Sequence, residues 1–239
     1  DNLELEDKIK DFNSTNGSFF SLERLNLDHI WQHPHKIRYR HVVKRITDIG
    51  CSSLALVVLS PLLLFCALAV KISDHKGPVI FKQTRVGRNG KLFTMYKFRS
   101  MYVDAEERKK ELMAQNETGG MTFKMKNDPR IYPFGRVLRK FSLDELPQLV
   151  NIIKGDMSIV GPRPPIPSDV AEYEPWHRLR LSVTQGLTCL WQVRGRSNIS
   201  FEGQMRLDND YIRRDGKLGD DFKLILKTFK VVFKGEGAY

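Results

Sequence analysis

Residues 49–70 carry no charged side chain apart from Asp48 just before them. This apolar block is about as long as a helix needs to cross ~30 Å of hydrocarbon. Elsewhere the hydrophobic positions come in shorter periods. In "GPVIFKQTRVGRNGKLFTMYKFRSM", β-branched and aromatic runs flank Asn89-Gly90, a turn dipeptide, which predicts a β-hairpin. "FGRVLRKFSLDELPQLVNIIKG" predicts helix, break, helix, with Gly155 as the stop. Residues 104–115, 169–181, 201–213 and 222–234 each predict a helix, and the last is amphipathic. "NETGG" and "GPRPPIP" predict irregular chain, and "TQGLTCLWQVRGRSN" a short strand or loop. Residues 1–20 are polar, with "NSTNGS" as a loop, and residues 22–30 fit a short amphipathic helix. There is no internal repeat. The pattern is α+β and mostly helical.

The apolar block is ambiguous in one respect. Pro61 removes a backbone donor in its middle, and Ser60 can bond back to a carbonyl, so a helix would bend there. Basic residues lie on both sides: Lys36, Arg38, Arg40, Lys44 and Arg45 before it, and Lys71, Lys76, Lys82, Arg85, Arg88, Lys91, Lys97 and Arg99 after it. The positive-inside rule then asks for both ends on the cytoplasmic side. A re-entrant helix satisfies this, a kinked spanning helix remains open, and a buried core helix comes third. In the last helix, Lys223, Lys227, Lys230 and Lys234 form one stripe beside a face made of Phe222, Ile225, Leu226, Phe229, Val232 and Phe233. That suits a helix lying on a membrane surface; a core helix with solvated lysines fits equally well.

Charge narrows the partners. With 39 Lys+Arg against 28 Asp+Glu in 239 residues, the formal charge is +11, which calls for an anionic partner: nucleic acid, anionic lipid or a phosphorylated substrate. Cys51, Cys66 and Cys189 lack C-x-x-C spacing and read as free thiols of a reducing compartment. No signal peptide is visible, and a chain that starts at Asp1 reads as a processed chain or a fragment.

The densest chemistry lies in "SLDELPQ". Ser142-x-x-Glu145 fits a capping box, with acids that merely complement a helix dipole. Its surroundings favour something else. Arg136, Arg139 and Lys140 lie upstream, Arg163 sits in a proline-held loop, and Arg194 and Arg196 follow in "RGR". Arginines on rigid backbone suit bidentate phosphate binding. Beside them, one carboxylate could attack phosphorus and the other hold Mg²⁺. A helix N-terminus would favour the ionised Asp144. Asp208-Asn209-Asp210 fits D-x-D, a metal–nucleotide pattern of many glycosyltransferases, though it is frequent by chance. Phosphate-loop, zinc-protease, nucleophile-elbow and zinc-finger templates are absent, and no nucleic-acid-binding motif accompanies the charge. His33, His35 and His41 read as interfacial.

Taken in order, "KRITDIG", the Ser-Pro apolar block, "YKFRSM", "GRVLRKFSLDELPQLVNIIKGDMSIVGPRP", "GLTCLWQVRGRS", "LDNDYI" and "DFKLILKT" resemble the catalytic domain of the monotopic phosphoglycosyl transferases, the bacterial sugar transferases. The resemblance covers about residues 44–239. It implies a monotopic membrane protein with a re-entrant helix bent at Ser60-Pro61, a small hairpin and interfacial helices. It divides the chain into an N-terminal linker or amphipathic segment (1–41), a re-entrant helix (42–73) and a cytoplasmic catalytic domain (74–239). The first part resembles the linker to additional transmembrane helices of larger members. The implied reaction joins a UDP-sugar to polyprenyl phosphate, releases UMP and passes through a phospho-sugar on Asp144. Glu145 is the implied Mg²⁺ ligand, and Arg99, Arg139, Arg163 and Arg196 the implied phosphate-binding residues. Anionic membrane lipids are expected partners and nucleic acid is not; homodimer formation is left open. The expected location is the cytoplasmic face of a bacterial inner membrane. Departures from the family pattern are "RRDGKLGDD" in the last block, Cys189 where Gly is frequent, and Arg99 where some members have Lys. A D-x-D glycosyltransferase that releases UDP, a membrane-tethered nucleic-acid binder and an inert scaffold are the alternative readings.

Overall fold

A computed structural model describes residues 34–112, 128–195, 199–213 and 218–234. Residues 1–33, the "NETGG" segment and Arg196 lie outside this set. The apolar block is two helices, α1 (Pro34–Val58) and α2 (Ser60–Ser73). No single helix among the described residues is long and apolar enough to cross a membrane, whereas the pair has that composition and is bent by 65°.

The bend has a local cause. Leu59 and Leu63 keep the helical ladder through it, their amides donating to Ala55 O and Leu59 O at 2.8 Å each. Pro61 has no amide to give to Val57 O, and the Ser60 hydroxyl takes over, donating to that carbonyl at 2.8 Å. Proline thus breaks the ladder and serine satisfies the acceptor left behind. That matters in hydrocarbon, where an unpaired carbonyl costs several kcal/mol.

Both arms pack on the rest of the chain. Cys66 and Val70 of α2 join Phe98 and Leu138 in one core cluster. Ala55 and Leu56 of α1 join a second, built on Met95, Leu149, Ile152 and Met157. The outer faces have no such cover: Leu54, Val57, Val58, Leu64, Phe65 and Leu68 are all more than half exposed. Burial of one such side chain is worth about 1.5–3 kcal/mol, so the set favours lipid by on the order of 10 kcal/mol. The bent pair and its uncovered apolar face fit a monotopic, re-entrant membrane helix and set aside the buried core helix.

Strands β1 (Ile80–Val86) and β2 (Leu92–Phe98) form the expected antiparallel hairpin, in register from Ile80 opposite Phe98 to Val86 opposite Leu92. Asn89 and Gly90 supply its turn with φ of 55° and 78°. Helix α3 (Ala105–Leu112) lies in the charged segment, followed by α4 (Pro133–Lys140), a single 3₁₀ turn (Leu143–Glu145) and α5 (Gln148–Lys154). Gly155, at φ 95°, stops α5 as expected. Beyond it, β3 (Ser158–Val160) pairs in parallel with β4 (Gly186–Thr188). Between them, the helix predicted over residues 169–181 is broken into α6 (Pro167–Ala171) and a 3₁₀ turn (His177–Ser182). Pro175 lies in the break and cannot donate to a continuing helix. Helices α7 (Leu190–Arg194), α8 (Phe201–Arg213) and α9 (Leu218–Lys234) complete the chain. α9 begins four residues before the predicted start.

α9 turns Asp221 and Leu224 inward and leaves Phe222, Leu226 and Phe229 exposed beside Lys223, Lys227 and Lys230. Asp221 ties it to α1 through Lys44 (2.5 Å) and to α8 through the Tyr211 hydroxyl (2.9 Å). Three further bonds fix α1 to the domain. Arg45 donates to the carbonyls of Ile152 and Ile153, capping α5, and the Asp48 carboxylate accepts the Ile159 amide at 3.0 Å.

The β3–β4 pair depends on a close backbone approach. A Cβ on Gly186 would overlap the nitrogen and the carbonyl oxygen of Gly161. Neither backbone segment can move without losing the bonds Gly186 N–H to Pro162 O (2.7 Å) and Gly161 N–H to Thr188 O (3.0 Å). Gly186→Ala is therefore expected to destabilise the protein by about 1–3 kcal/mol or more. Thermal unfolding of the detergent-solubilised protein checks this; an unchanged midpoint contradicts the close approach.

Candidate active site

The acid pair lies at the junction of α4 and α5, in a turn that starts under strain. Ser142 adopts φ 53°, ψ 22°, a left-handed conformation uncommon outside glycine, and its side chain makes no capping bond. The capping box is therefore not formed. The helix starts at Gln148, after the acids, with Pro147 as its flanking residue. Glu145 instead meets cations from two other elements. Arg163 Nη2 reaches its Oε1 at 2.5 Å, and Lys97 Nζ, from β2, reaches the same oxygen at 3.0 Å. Lys97 Nζ also lies 4.0 Å from Asp144 Oδ2. Arg139, on α4, bonds the Ser100 hydroxyl through Nε at 3.0 Å, and its charge acts on Asp144.

These surroundings separate two adjacent carboxyls. Burial would push both up. For Glu145 the charges and hydrogen bonds of Arg163 and Lys97 outweigh burial and hold it well below the usual glutamate range. Asp144 is 8% exposed, and burial pushes its carboxyl above the aspartate range. Lys97, Arg139 and Arg163 oppose that rise, and the Glu145 charge adds to it. This runs opposite to the expected effect of a helix N-terminus on Asp144. Burial lowers Lys97, against the pull of Glu145. Burial and the nearby Arg163 push Arg85 down to about 10. A Glu145 pulled down by its cations beside an Asp144 pushed up by burial is a pair with two different chemical capacities.

The loop carrying Arg163 is held residue by residue. Successive carbonyls each accept one bond: Pro162 O from the Gly186 amide (2.7 Å), Arg163 O from Arg180 Nη2 (2.8 Å), Pro164 O from Arg85 Nη1 (2.9 Å) and Pro165 O from the Val86 amide (3.0 Å). Four donors from three elements replace the ladder that three prolines cannot form.

Of the sequence-derived candidates, Asp144, Glu145, Arg139 and Arg163 come together. Arg99 adjoins Ser100, the partner of Arg139, and its own guanidinium meets Asp74 beyond the end of α2 at 3.4 Å. Arg99 is buried against Gly77, where a Cβ would strike that guanidinium. Ser60 and Pro61 sit at the membrane bend. The D-x-D residues do not converge. Asp208 is buried on α8 and paired with Arg180 at 2.8 Å, while Asp210 is exposed. Burial pushes Asp208 up to about 6 in spite of Arg180. Lys97 is the participant that the sequence reading took only as a basic residue flanking the apolar block and did not place at the acids. Its signal was register: in β2 it shares a face with buried Met95 and Arg99, an unusual place for a lysine without a task.

The Asp144 and Glu145 carboxylates are the side chains that could serve a Mg²⁺ ion bound jointly with a phosphate. Among the described residues no group of three or more His, Cys, Asp or Glu side chains could hold a metal alone. Mg²⁺ commonly takes one or two carboxylates and completes its shell with phosphate oxygens and water. The second oxygen of Glu145 has only a 3.4 Å contact from Arg163, which leaves it the more available ligand atom.

A bent apolar helix pair carries, on the part of the chain packed against it, a buried acid pair and clustered cations. Comparison with known proteins makes the class definite. Residues 39–235 match the family model described as "Bacterial sugar transferase". The chain is 45% identical over 203 residues to the galactosyl transferase CpsE of Streptococcus agalactiae serotype III, covering 84% of this chain and 44% of that protein. It is 43% identical over 206 residues to the undecaprenyl-phosphate galactose phosphotransferase of Salmonella typhimurium, covering 84% and 43%. It is 39% identical over 202 residues to the exopolysaccharide production protein ExoY of Rhizobium meliloti, covering 83% and 88%. The chain belongs to the bacterial sugar transferase family, a family of enzymes. It spans less than half the length of the first two relatives and most of the third.

Proposed function

We propose that this chain transfers a sugar 1-phosphate from a UDP-sugar to a polyprenyl phosphate, releasing UMP, as the first membrane step of capsule, exopolysaccharide or O-antigen synthesis. The observation that carries the reading is the acid pair's setting: Arg163 Nη2 at 2.5 Å and Lys97 Nζ at 3.0 Å hold one Glu145 oxygen, and Asp144 is buried beside it, 4.0 Å from the same Lys97. The family membership and the relatives' printed activities support it.

In this reading an Asp144 carboxylate oxygen attacks the sugar-bearing phosphorus. The bond to the UMP oxygen breaks, and UMP leaves with the electron pair. An oxygen of the lipid phosphate then attacks the same phosphorus and expels the Asp144 carboxylate. Lys97, Arg139 and Arg163 stabilise the charge spread over the phosphate oxygens in both steps. Mg²⁺, held by Glu145 together with substrate phosphate, would add Lewis-acid stabilisation of that charge. The re-entrant pair fixes the site at headgroup depth, where a soluble nucleotide and an embedded lipid can both reach it. Lys223, Lys227 and Lys230 on α9 would meet anionic lipid on the cytoplasmic face of a bacterial inner membrane.

The test is product analysis. Purified chain, Mg²⁺ and undecaprenyl phosphate are incubated with a panel of UDP-sugars, and UMP and UDP are separated. UMP formed together with a lipid diphosphate-sugar is expected. UDP as the nucleotide product would instead support transfer of the sugar alone.

A further inference from the structure

Arg180 and Asp208 are buried together, 4% and 1% exposed, outside the cluster of acids and cations. Arg180 is a branch point. Nη1 donates to the Tyr173 hydroxyl at 2.8 Å, and Nη2 donates to the Arg163 carbonyl at 2.8 Å while pairing with Asp208 at the same distance. The planar guanidinium can serve these directions at once because its donors are fixed in a fork. The element carrying Asp208, α8, packs against the 3₁₀ turn that carries Arg180. The Arg163 carbonyl is thus the end of a chain that starts in the middle of α8, and the side chain of that same residue is what holds Glu145.

A purely stabilising role explains this poorly. A buried ion pair contributes little net stability compared with an apolar pair of the same shape, because both charges must be desolvated. What the pair does supply is a directed donor at one loop carbonyl, in a segment where Pro162, Pro164 and Pro165 have removed the backbone donors that could otherwise hold it.

We propose that Asp208, acting through Arg180, is a positioning residue for the reaction: it orients the guanidinium that holds the Arg163 carbonyl and so sets where the Arg163 fork meets Glu145 and a substrate phosphate. This rests on the proposed function above. Asp208 touches no substrate; its effect passes through Arg163.

A double-mutant cycle on the full chain tests it, with UMP release from UDP-galactose and UDP-glucose and the affinity for UDP as readouts. Asp208→Asn keeps the shape but loses the charge that aligns Arg180. A misplacement of about 1 Å at a positioning group can cost about 10²-fold in rate. Asp208→Asn is therefore expected to lower kcat/KM by between about tenfold and 10²-fold. In the Arg163→Lys background, where the fork is already gone, the same change is expected to add less than about threefold, because the two residues act as one unit. If Asp208→Asn does not fold, Tyr173→Phe removes a milder support of the same guanidinium, and the same non-additivity with Arg163→Lys is expected. Losses that multiply in full, or a folded Asp208→Asn or Tyr173→Phe with parental kcat/KM, overturn the inference while leaving the proposed function standing. A parent enzyme that neither releases UMP nor binds UDP overturns both.

Discussion

Asp144→Asn is expected to give a folded protein that forms no phospho-sugar adduct and turns over more than about 10³-fold more slowly than the parent. Asparagine keeps the size of the side chain but offers a neutral amide where the reaction needs an anionic oxygen. With UDP-sugar and Mg²⁺ but no lipid phosphate, the parent should release about one UMP per active site and carry a phospho-sugar mass on the peptide containing Asp144. Lipid phosphate should discharge that mass. The variant should show neither. Stability should move the other way. Burial raises the Asp144 pKa in the folded state, so its ionised form opposes folding at neutral pH. Removing that charge should leave the thermal midpoint equal or higher. For the same reason the acid limb of kcat/KM in the parent should lie above the ordinary aspartate pKa of about 3.9. Glu145→Gln should slow both steps and weaken the Mg²⁺ dependence. Steady turnover by Asp144→Asn at the parental rate would end the covalent mechanism.

Replacing Ser60 and Pro61 together by alanine is expected to convert the re-entrant pair into a spanning helix in a large share of molecules. The alanine that replaces Pro61 would restore the amide that Val57 O lacks, and the ring clash would go; together these are worth about 3 kcal/mol. Packing of Cys66 and Val70 against Phe98 and Leu138 resists straightening in the finished protein. During synthesis, however, the apolar block emerges before β2 and α4 exist, so topology is chosen without that packing. The readout is a Ser73→Cys probe, with Cys51, Cys66 and Cys189 replaced, treated with an impermeant thiol reagent on intact cells. The parent should stay unlabelled and the double-alanine form should label. Protection in both would mean that packing, and not the Ser-Pro step, decides the path of the chain.

Features set by neighbouring residues were legible in the sequence. Asn89-Gly90 announces its own turn because few residues adopt two consecutive left-handed conformations, and Gly155 announces the end of α5 for the same reason. Ser60-Pro61 marked the bend, though only the packing and exposure of the two arms separated re-entry from a buried helix. What the letters alone left open depends on contacts across the chain. Ser142-x-x-Glu145 has the letters of a capping box, yet a left-handed Ser142 and two distant cations give Glu145 other work. Asp208 and Asp210 look like a metal pair, but two residues apart on a helix they face different ways, one into the core and one to solvent. β4 lies in the stretch read as a short strand or loop, but β3 and the parallel pairing of the two, three residues each and far apart in the chain, carry too little pattern to be seen before they meet. Arg99 matched a motif, and only the fold shows that its guanidinium also pairs with Asp74, just past the end of α2.

The tie between Asp48 and the Ile159 amide has a geometric consequence. Val58, the last residue before the bend, is ten residues further along α1, which is about 15 Å of helix. That is half of a ~30 Å hydrocarbon core. A protein that spans a bilayer must match both leaflets and feels every change in total thickness. In the proposed re-entrant topology this one would be gauged against a single leaflet, from a fixed mark on the part of the chain that carries the acids. In that topology, thickening the opposite leaflet should leave the height of the acid pair above the lipid unchanged.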